Sequence, residues 1–474
     1  VTTITLHAGD CRDSLRRLIA EGVRVHSVVT DPPYGLVSVQ KRFGKPDSAP
    51  ARTERNDGSF ARLSGGFMGK QWDATGIERD PEFWRLIHDV LLPGGFVFAF
   101  SGSRTGHWQA VAMEQAGLIM HPMHGWVYGS GFPKAHNAAR AVDKALGVEG
   151  SLGGVKPGHG GFVGRGSLSA VQSLKGTLGG EGGFARPWMD DPESVDRYRH
   201  TYVPGSPEAE QWEGWAYGTQ TQKPALEPIF LGQRPMSEKT GAANLLKHGV
   251  GAFNIDGCRV GYTSEADQAS AKPQGAATSK VGALAGKTQH NGDRSEFTAD
   301  NTKGRHPANL ILDGSPEVAA MFPDTRAGVA VRRKSGGKNI FSEKDKPPMS
   351  DMGYDDSGSA ARFFHQFPPD TDPLIYHPKA GKADRAGGRH PTVKPVALLR
   401  YLIRHITPPG GVVLDPFAGS GTTAEAARQE GIDCILMEAE PEYVAFLRER
   451  FDLLGDGLGD IDALLYDDSA EDLI

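Results

Sequence analysis

The sequence has 474 residues, 38% hydrophobic and 23% charged, with a formal net charge of −6. That is the make-up of a soluble globular protein, long for one core, and its 62 glycines point to long irregular insertions. No apolar run approaches a membrane span and no charged-then-apolar leader opens the chain, which excludes a membrane partner and predicts a cytoplasmic protein.

Residues 1–138 alternate strand and helix patterns. Ile4–Leu6 reads as a strand ending at Gly9-Asp10, followed by an amphipathic helix over Arg12–Ala20. The apolar run Val23–Val29 predicts a buried strand, and Pro32-Pro33 stop it because neither proline has an N–H for a ladder. A polar segment spans Val37 to about Trp72. Pro81–Leu92 reads as a helix closed by Pro93-Gly94-Gly95, Phe96–Phe100 as a fully apolar strand, and Arg104–Ala116 as a helix ended by Gly117. Trp126–Lys134 leaves a strand and turns sharply.

From 139 to 220 the chain turns glycine-rich without a sustained period, as in Gly158–Gly161 and Gly179–Gly183, and reads as an insertion. A strand, Glu227–Leu231, falls within a core piece over 221–235. Residues 236–385 mix short ordered stretches, such as Asn309–Asp313, with polar ones; 264–304 is expected to be the disordered part. Order returns at 386 with a helix over Val396–Ile406, a strand over Val412–Leu414, a helix over Thr422–Gln429, a strand over Cys434–Met437 and a helix over Pro441–Phe451. After Arg450 no basic residue follows, while eight acidic ones lie between Asp452 and Asp472. The tail 452–474 therefore reads as a solvating end, and the body without it carries 52 basic against 50 acidic residues, a balance of +2. Cys11, Cys258 and Cys434 have no metal-ligand spacing and read as small buried hydrophobes, so no metal is expected.

Two strings carry chemistry. Asp31-Pro32-Pro33-Tyr34 follows a strand on a stiff turn, at the carboxyl end where open α/β sheets hold ligands. A carboxylate, a fixed carbonyl and an aromatic face suit the grip of a flat base by its exocyclic amine. Asp415-Pro416-Phe417-Ala418-Gly419-Ser420-Gly421 lies between a strand and a helix, the setting that a glycine-rich cofactor loop requires. Gly419 and Gly421 allow close backbone approach, Thr422 and Thr423 can cap the helix, and Glu438 ends the next strand, where an acid can accept from ribose hydroxyls.

Both strings resemble the motifs of amino-group DNA methyltransferases, which methylate N6 of adenine or N4 of cytosine. The resemblance covers about 1–138, 221–235 and 376–451 and implies a doubly wound, Rossmann-like α/β sheet that uses S-adenosylmethionine. It implies that Asp415 holds the methionine amino group and that Phe417 lies against the cofactor. By the same resemblance Asp10 contacts the cofactor adenine, against a plain strand-end turn. Lys394, in His390–Pro395, is a charge near the methionine end, against a helix-start lysine. With the cofactor loop after the Asp-Pro-Pro-Tyr turn, the order is a circular permutation and matches the beta class. Joining the chain ends would put the four strands before Asp415, Glu438, Asp10 and Asp31 in sequence.

The chemistry implied is transfer to adenine N6 by direct in-line attack on a base flipped from double-stranded DNA. Asp31 and the Pro32 carbonyl would accept from the amine, and Tyr34 would stack on the base. Asp31 leans towards adenine, since cytosine enzymes more often carry serine. No cysteine follows a proline, which disfavours C5-cytosine methylation, and the strings of a base deaminase are missing. The resemblance places target recognition in 236–385, the protein in a bacterium or phage-infected host, and the assembly as monomer or homodimer. A catalytically silent DNA-binding relative is the alternative of a different class.

Overall fold

The computed structural model describes residues 2–34, 75–129, 133–155, 200–270, 303–326, 357–367 and 393–453. The polar segment to Trp72, the glycine clusters at 158–161 and 179–183, most of 264–304, His390–Thr392 and 454–474 lie outside these residues.

β1 (Ile4–Ala8) leads into α1 (Cys11–Ala20) and β2 (Val25–Thr30), then α2 (Pro81–Val90), β3 (Leu91–Phe100), α3 (Gly106–Gln115), β4 (Ile119–Met120) and β5 (His124–Val127). Next come β6 (Lys134–Asn137), α4 (Ala138–Leu146), β7 (Ser151–Val155), β8 (His200–Val203) and β9 (Ala216–Gln220). β10 (Leu226–Gln233), α5 (Gly241–His248), β11 (Leu310–Leu312), β12 (Asp324–Arg326), β13 (Ser357–Ser359) and β14 (His365–Gln366) follow. Then α6 (Val396–Ile406), β15 (Val412–Asp415), α7 (Thr422–Glu430), β16 (Asp433–Glu438) and α8 (Pro441–Phe451) complete the described elements of eight residues or more and all strands.

The chain divides into two compact units, one of Val1–Tyr34, Gly76–Gly129 and Leu226–Ile474, the other of Gly35–Thr75 and Ser130–Ala225. The first unit holds a ten-stranded sheet in the order β1-β16-β15-β2-β3-β10-β5-β11-β14, with β4 on the side of β10. β1, β16, β15, β2 and β3 run parallel, while β10 is antiparallel to β3 and β5. Strand order confirms the permuted reading: β15 and β16, late in the chain, sit between β1 and β2. The winding reverses between β15 and β2, and ligands of such sheets bind at that switch point.

Strand alternation explains why both faces are covered. On β3, Phe96, Phe98 and Phe100 enter the core under α6 and α7, while Val97 and Ala99 enter the core under α1, α2 and α3. α6 buries Leu398, Leu399, Leu402, Ile403 and Ile406, the spacing of one helix face. α2 starts on Pro81 behind an Asp80 cap that accepts from Glu82 N–H.

Two expectations change, at 93–95 and at 264–270. Pro93-Gly94-Gly95 is not a loop: β3 starts at Leu91, and the pairing slips from Val25–Leu91 to Ser27–Phe96, a bulge that absorbs the extra residues. The stretch 236–385 supplies strands β11 and β14 to the sheet edge. Asn254–Arg259, for which sequence alone offers no role, packs beneath α6: Asn254 N–H donates to His405 O at 2.9 Å, and Cys258 is buried. Residues 264–270 are tied down as well. Asp267 takes both Arg305 guanidinium nitrogens at 3.0 and 2.6 Å, which holds its carboxyl down to about 2.

The second unit shows order inside the glycine-rich stretch. α4 is capped by Asn137 and ended by Gly147 at φ 71°. Its Asp143 accepts from Tyr202 Oη, Gly205 N–H and Ser206 Oγ at 2.8, 2.8 and 2.5 Å, while β6 pairs with β9 and β7 with β8.

Candidate active site

β2 ends at Thr30, and the next four residues form the first half of the site. Pro32 and Pro33 are buried, while Asp31 keeps 24% of its side chain exposed. Tyr34 is held from two sides: Thr105 Oγ1 donates to its carbonyl at 2.8 Å, and its own hydroxyl donates to Asp31 Oδ1 at 2.9 Å. Gly102 packs against the ring, since a Cβ there would lie 3.3 Å from Tyr34 Cδ2. Burial, then Asp31, raises the Tyr34 phenol well above its usual range.

Lys394 completes this half. Its ammonium donates to Asp31 Oδ2 and to the Tyr34 hydroxyl, and it lies 4.8 Å from the centre of the Phe100 ring. The structure thus places Lys394 on the Asp31 turn, where the resemblance had put it near the methionine end of the cofactor.

The second half lies on the adjacent strand. Asp415 ends β15 and is buried. Its Oδ1 accepts from Thr30 Oγ1 at 2.7 Å and from Phe417 N–H at 3.1 Å; its Oδ2 accepts from Thr423 Oγ1 at 2.6 Å. Burial outweighs these donors and pushes its carboxyl up to about 6. Glu438 behaves alike at the end of β16. Gly419 N–H donates to its Oε2 at 2.8 Å and Glu440 N–H to its Oε1 at 2.9 Å, yet burial raises it to about 7.

The loop differs from expectation in its details. Thr423 does not cap α7 but bonds Asp415; the cap is Gly421, at φ 79°, with no side-chain acceptor. Gly421 is glycine for packing too, because a Cβ would lie 2.6 Å from both Leu447 and Phe451 of α8. Gly419 also takes a positive φ, of 53°. Pro416 and Ser420 are buried, and Ser420 Oγ lies 3.2 Å from Thr422 Oγ1. Phe417 packs against Phe83 of α2, ring centres 5.4 Å apart. Asp10 caps α1 through Arg12 N–H and pairs with the Arg12 guanidinium, which holds its carboxyl below the usual range. Gly9 N–H donates to Glu438 O at 2.8 Å, so the Asp10 turn is fastened to the end of β16.

Sequence reasoning missed Thr30 and Glu227. Thr30 reads as the last residue of a strand, and only the neighbouring β15 reveals its bond to Asp415. Glu227 reads as one polar residue in an apolar strand, but it is buried with its Oε2 3.8 Å from Lys394 Nζ.

Asp415 and Glu438, two buried carboxyls on adjacent parallel strands, fit a ligand that brings an ammonium to the one and hydroxyl donors to the other, both of which favour the ionised acid. Among the described residues no His, Cys, Asp or Glu group could hold a metal, and no helix is long and apolar enough to cross a membrane.

Parts of the chain are similar to known proteins. Residues 252–449 match the DNA methylase family of N6 and N4 enzymes, a stretch that holds Lys394, Asp415 and Glu438 but not Asp31. The type II methyltransferase M2.DpnII of Streptococcus pneumoniae is 42% identical over 71 residues, 15% of this chain and 26% of that protein. The DNA adenine methyltransferase YhdJ of Escherichia coli K12 is 45% identical over 64 residues, 14% of this chain and 22% of that protein. The chain thus aligns with only about a quarter of the length of the curated relatives it matches. The crystal structure of an M1.HpyAVI–SAM complex overlaps 95% of this chain and 100% of its own at 13% identity, with a TM-score of 0.35. Over residues 252–449 the chain is thus similar to the DNA methylase family of N6 and N4 enzymes, and its short curated matches are to DNA methyltransferases as well.

Proposed function

We propose that the chain transfers a methyl group from S-adenosylmethionine to N6 of adenine in double-stranded DNA, as a beta-class enzyme. The observation that carries this reading is the 2.7 Å bond from Thr30 Oγ1 to Asp415 Oδ1. It sets the Asp31 turn and the Asp415 loop side by side at the switch point, one for the target and one for the cofactor. When bound, S-adenosylmethionine supplies an electrophilic methyl on a sulfonium centre. Asp415 and Glu438 hold its cationic and ribose ends, and the Asp31 carboxylate and Pro32 carbonyl accept the two amine hydrogens of the base. Accepting both hydrogens localises the nitrogen lone pair that ring conjugation otherwise withdraws, and Tyr34 offers a face to the flipped base. N4-cytosine on the same scaffold is the second reading; Asp31, where cytosine enzymes more often have serine, favours adenine.

The test pairs calorimetric cofactor binding with methyl incorporation into duplex DNA, and identifies the methylated nucleoside by mass spectrometry. Asp31→Ala is expected to lower transfer by about 10² or more while cofactor affinity holds. Asp415→Ala is expected to weaken cofactor binding first, and to loosen the loop, since Thr30, Thr423 and Phe417 N–H lose their shared acceptor. Full transfer by Asp31→Ala would refute the assignment, and N4-methylcytosine as the product would move the reading to cytosine.

A further inference from the structure

Lys394 stands where the amine of a base would have to stand. Its ammonium donates to Asp31 Oδ2 and, at 3.3 Å, to the Tyr34 hydroxyl. A second carboxylate lies within ion-pair reach of the same ammonium, Glu227 Oε2 of β10 at 3.8 Å. Asp31 keeps 24% of its side chain exposed, whereas Lys394, at 6%, and Glu227, at 7%, are both buried. The ammonium lies 4.8 Å from the Phe100 ring centre and 5.6 Å from that of Tyr34, aromatic rings that favour a cation there. One ammonium is therefore within ion-pair reach of two carboxylates.

We propose that Lys394 and Glu227 are an exchange pair of positioning residues that controls access to Asp31. Without a base the ammonium fills the Asp31 seat; when the target amine enters, the ammonium shifts onto Glu227, and Asp31 accepts the amine. This rests on the reading of Asp31 as the amine acceptor. The exchange also acts as a filter, because only a group that donates to Asp31 as well as the ammonium does can displace it.

The test is a double-mutant cycle on the full chain, read as kcat/KM for duplex DNA. Glu227→Gln keeps the volume and removes the second anion, so the ammonium stays on Asp31 and the seat is open for a smaller fraction of the time. A fall of about tenfold or more in kcat/KM is expected, through the lower competent fraction. Adding Lys394→Met removes the competitor, so the double variant is expected to exceed Glu227→Gln alone. A purely structural role predicts the opposite, a double variant at or below the single one, and that result would overturn the exchange. Cofactor affinity equal to wild type in both variants checks that the fold is intact. Where Glu227→Gln fails that check, Glu227→Asp, which keeps the anion but withdraws it, is expected to show the same direction and the same recovery. Wild-type chain that methylates no duplex would overturn the reading of the site and the exchange with it. Wild-type transfer without recovery in the double variant would overturn the exchange alone.

Discussion

Glu438 shows how one buried group can couple stability, pH and ligand. Two backbone N–H groups favour its ionised form, but burial is stronger and raises the carboxyl from 4.5 to about 7; Asp415 rises from 3.8 to about 6 for the same first cause. The folded chain therefore keeps protons that the unfolded chain has released. The stabilisation is complete below about pH 4 and is lost as pH rises through about 6 and 7. A ligand that brings an ammonium to Asp415 and hydroxyl donors to Glu438 acts the other way, since it favours both carboxylates. S-Adenosylmethionine is thus expected to bind more tightly as pH rises through this range, with release of protons. Calorimetry in two buffers of different ionisation enthalpy measures that release; affinity that is flat or falling with pH would show that neither acid faces the cofactor. Asp31, Tyr34 and Asp415 stand out in the sequence because strand ends followed by Pro-Pro or a Gly-x-Gly loop are local signals, and Glu438 because it ends the next strand. Thr30 and Glu227 do not, because their meaning lies in side chains of other strands.

Elements with a long apolar period were legible to within a residue or two: α6, α8, β15 and β16 lie where their patterns put them. Elements that depend on a distant partner were not, and β3 is the clearest case. Its Pro93-Gly94-Gly95 bulge survives because Asn244 of α5 braces it. Asn244 is fully buried, its Nδ2 donates to Pro93 O and Val250 O at 2.9 Å each, and its Oδ1 accepts from Ser237 N–H at 3.2 Å. Nothing local in Pro-Gly-Gly announces a brace some 150 residues away. Asn244→Ala leaves those three backbone groups without this partner and is expected to cost about 2–4 kcal/mol. Urea unfolding at constant slope measures it. Because α5 belongs to the stretch assigned to target recognition, an unchanged midpoint would mean that this stretch begins where the sequence reading put it, at 236. α4 escaped sequence reading for another reason: nine residues between glycine clusters are too few to establish a period.

At the scale of the whole molecule the permuted order has an electrostatic consequence. The sheet is closed by late strands, so the chain leaves it through α8, and the acidic tail begins there. Asp452 takes a left-handed φ of 52°, Leu453 N–H donates to Arg448 O at 2.9 Å, and Leu453 packs against the core. Those two residues finish the helix, so a truncation that tests the tail should follow Leu453. It removes seven of the eight acids beyond Arg450 and leaves 52 basic against 51 acidic residues. DNA binding of the non-specific kind depends on contacts of lysine and arginine with phosphate and weakens steeply with salt, and a polyanionic segment competes with phosphate for those contacts. If the tail can reach the DNA-binding face, its removal should tighten binding to a random duplex severalfold at about 50 mM salt and steepen the salt dependence, with the difference shrinking by about 200 mM. Cofactor affinity should not change, because the helix end is kept. Fluorescence anisotropy over that salt range decides the matter: identical affinity and slope for the two chains would mean that the seven charges stay more than a screening length from the bound DNA.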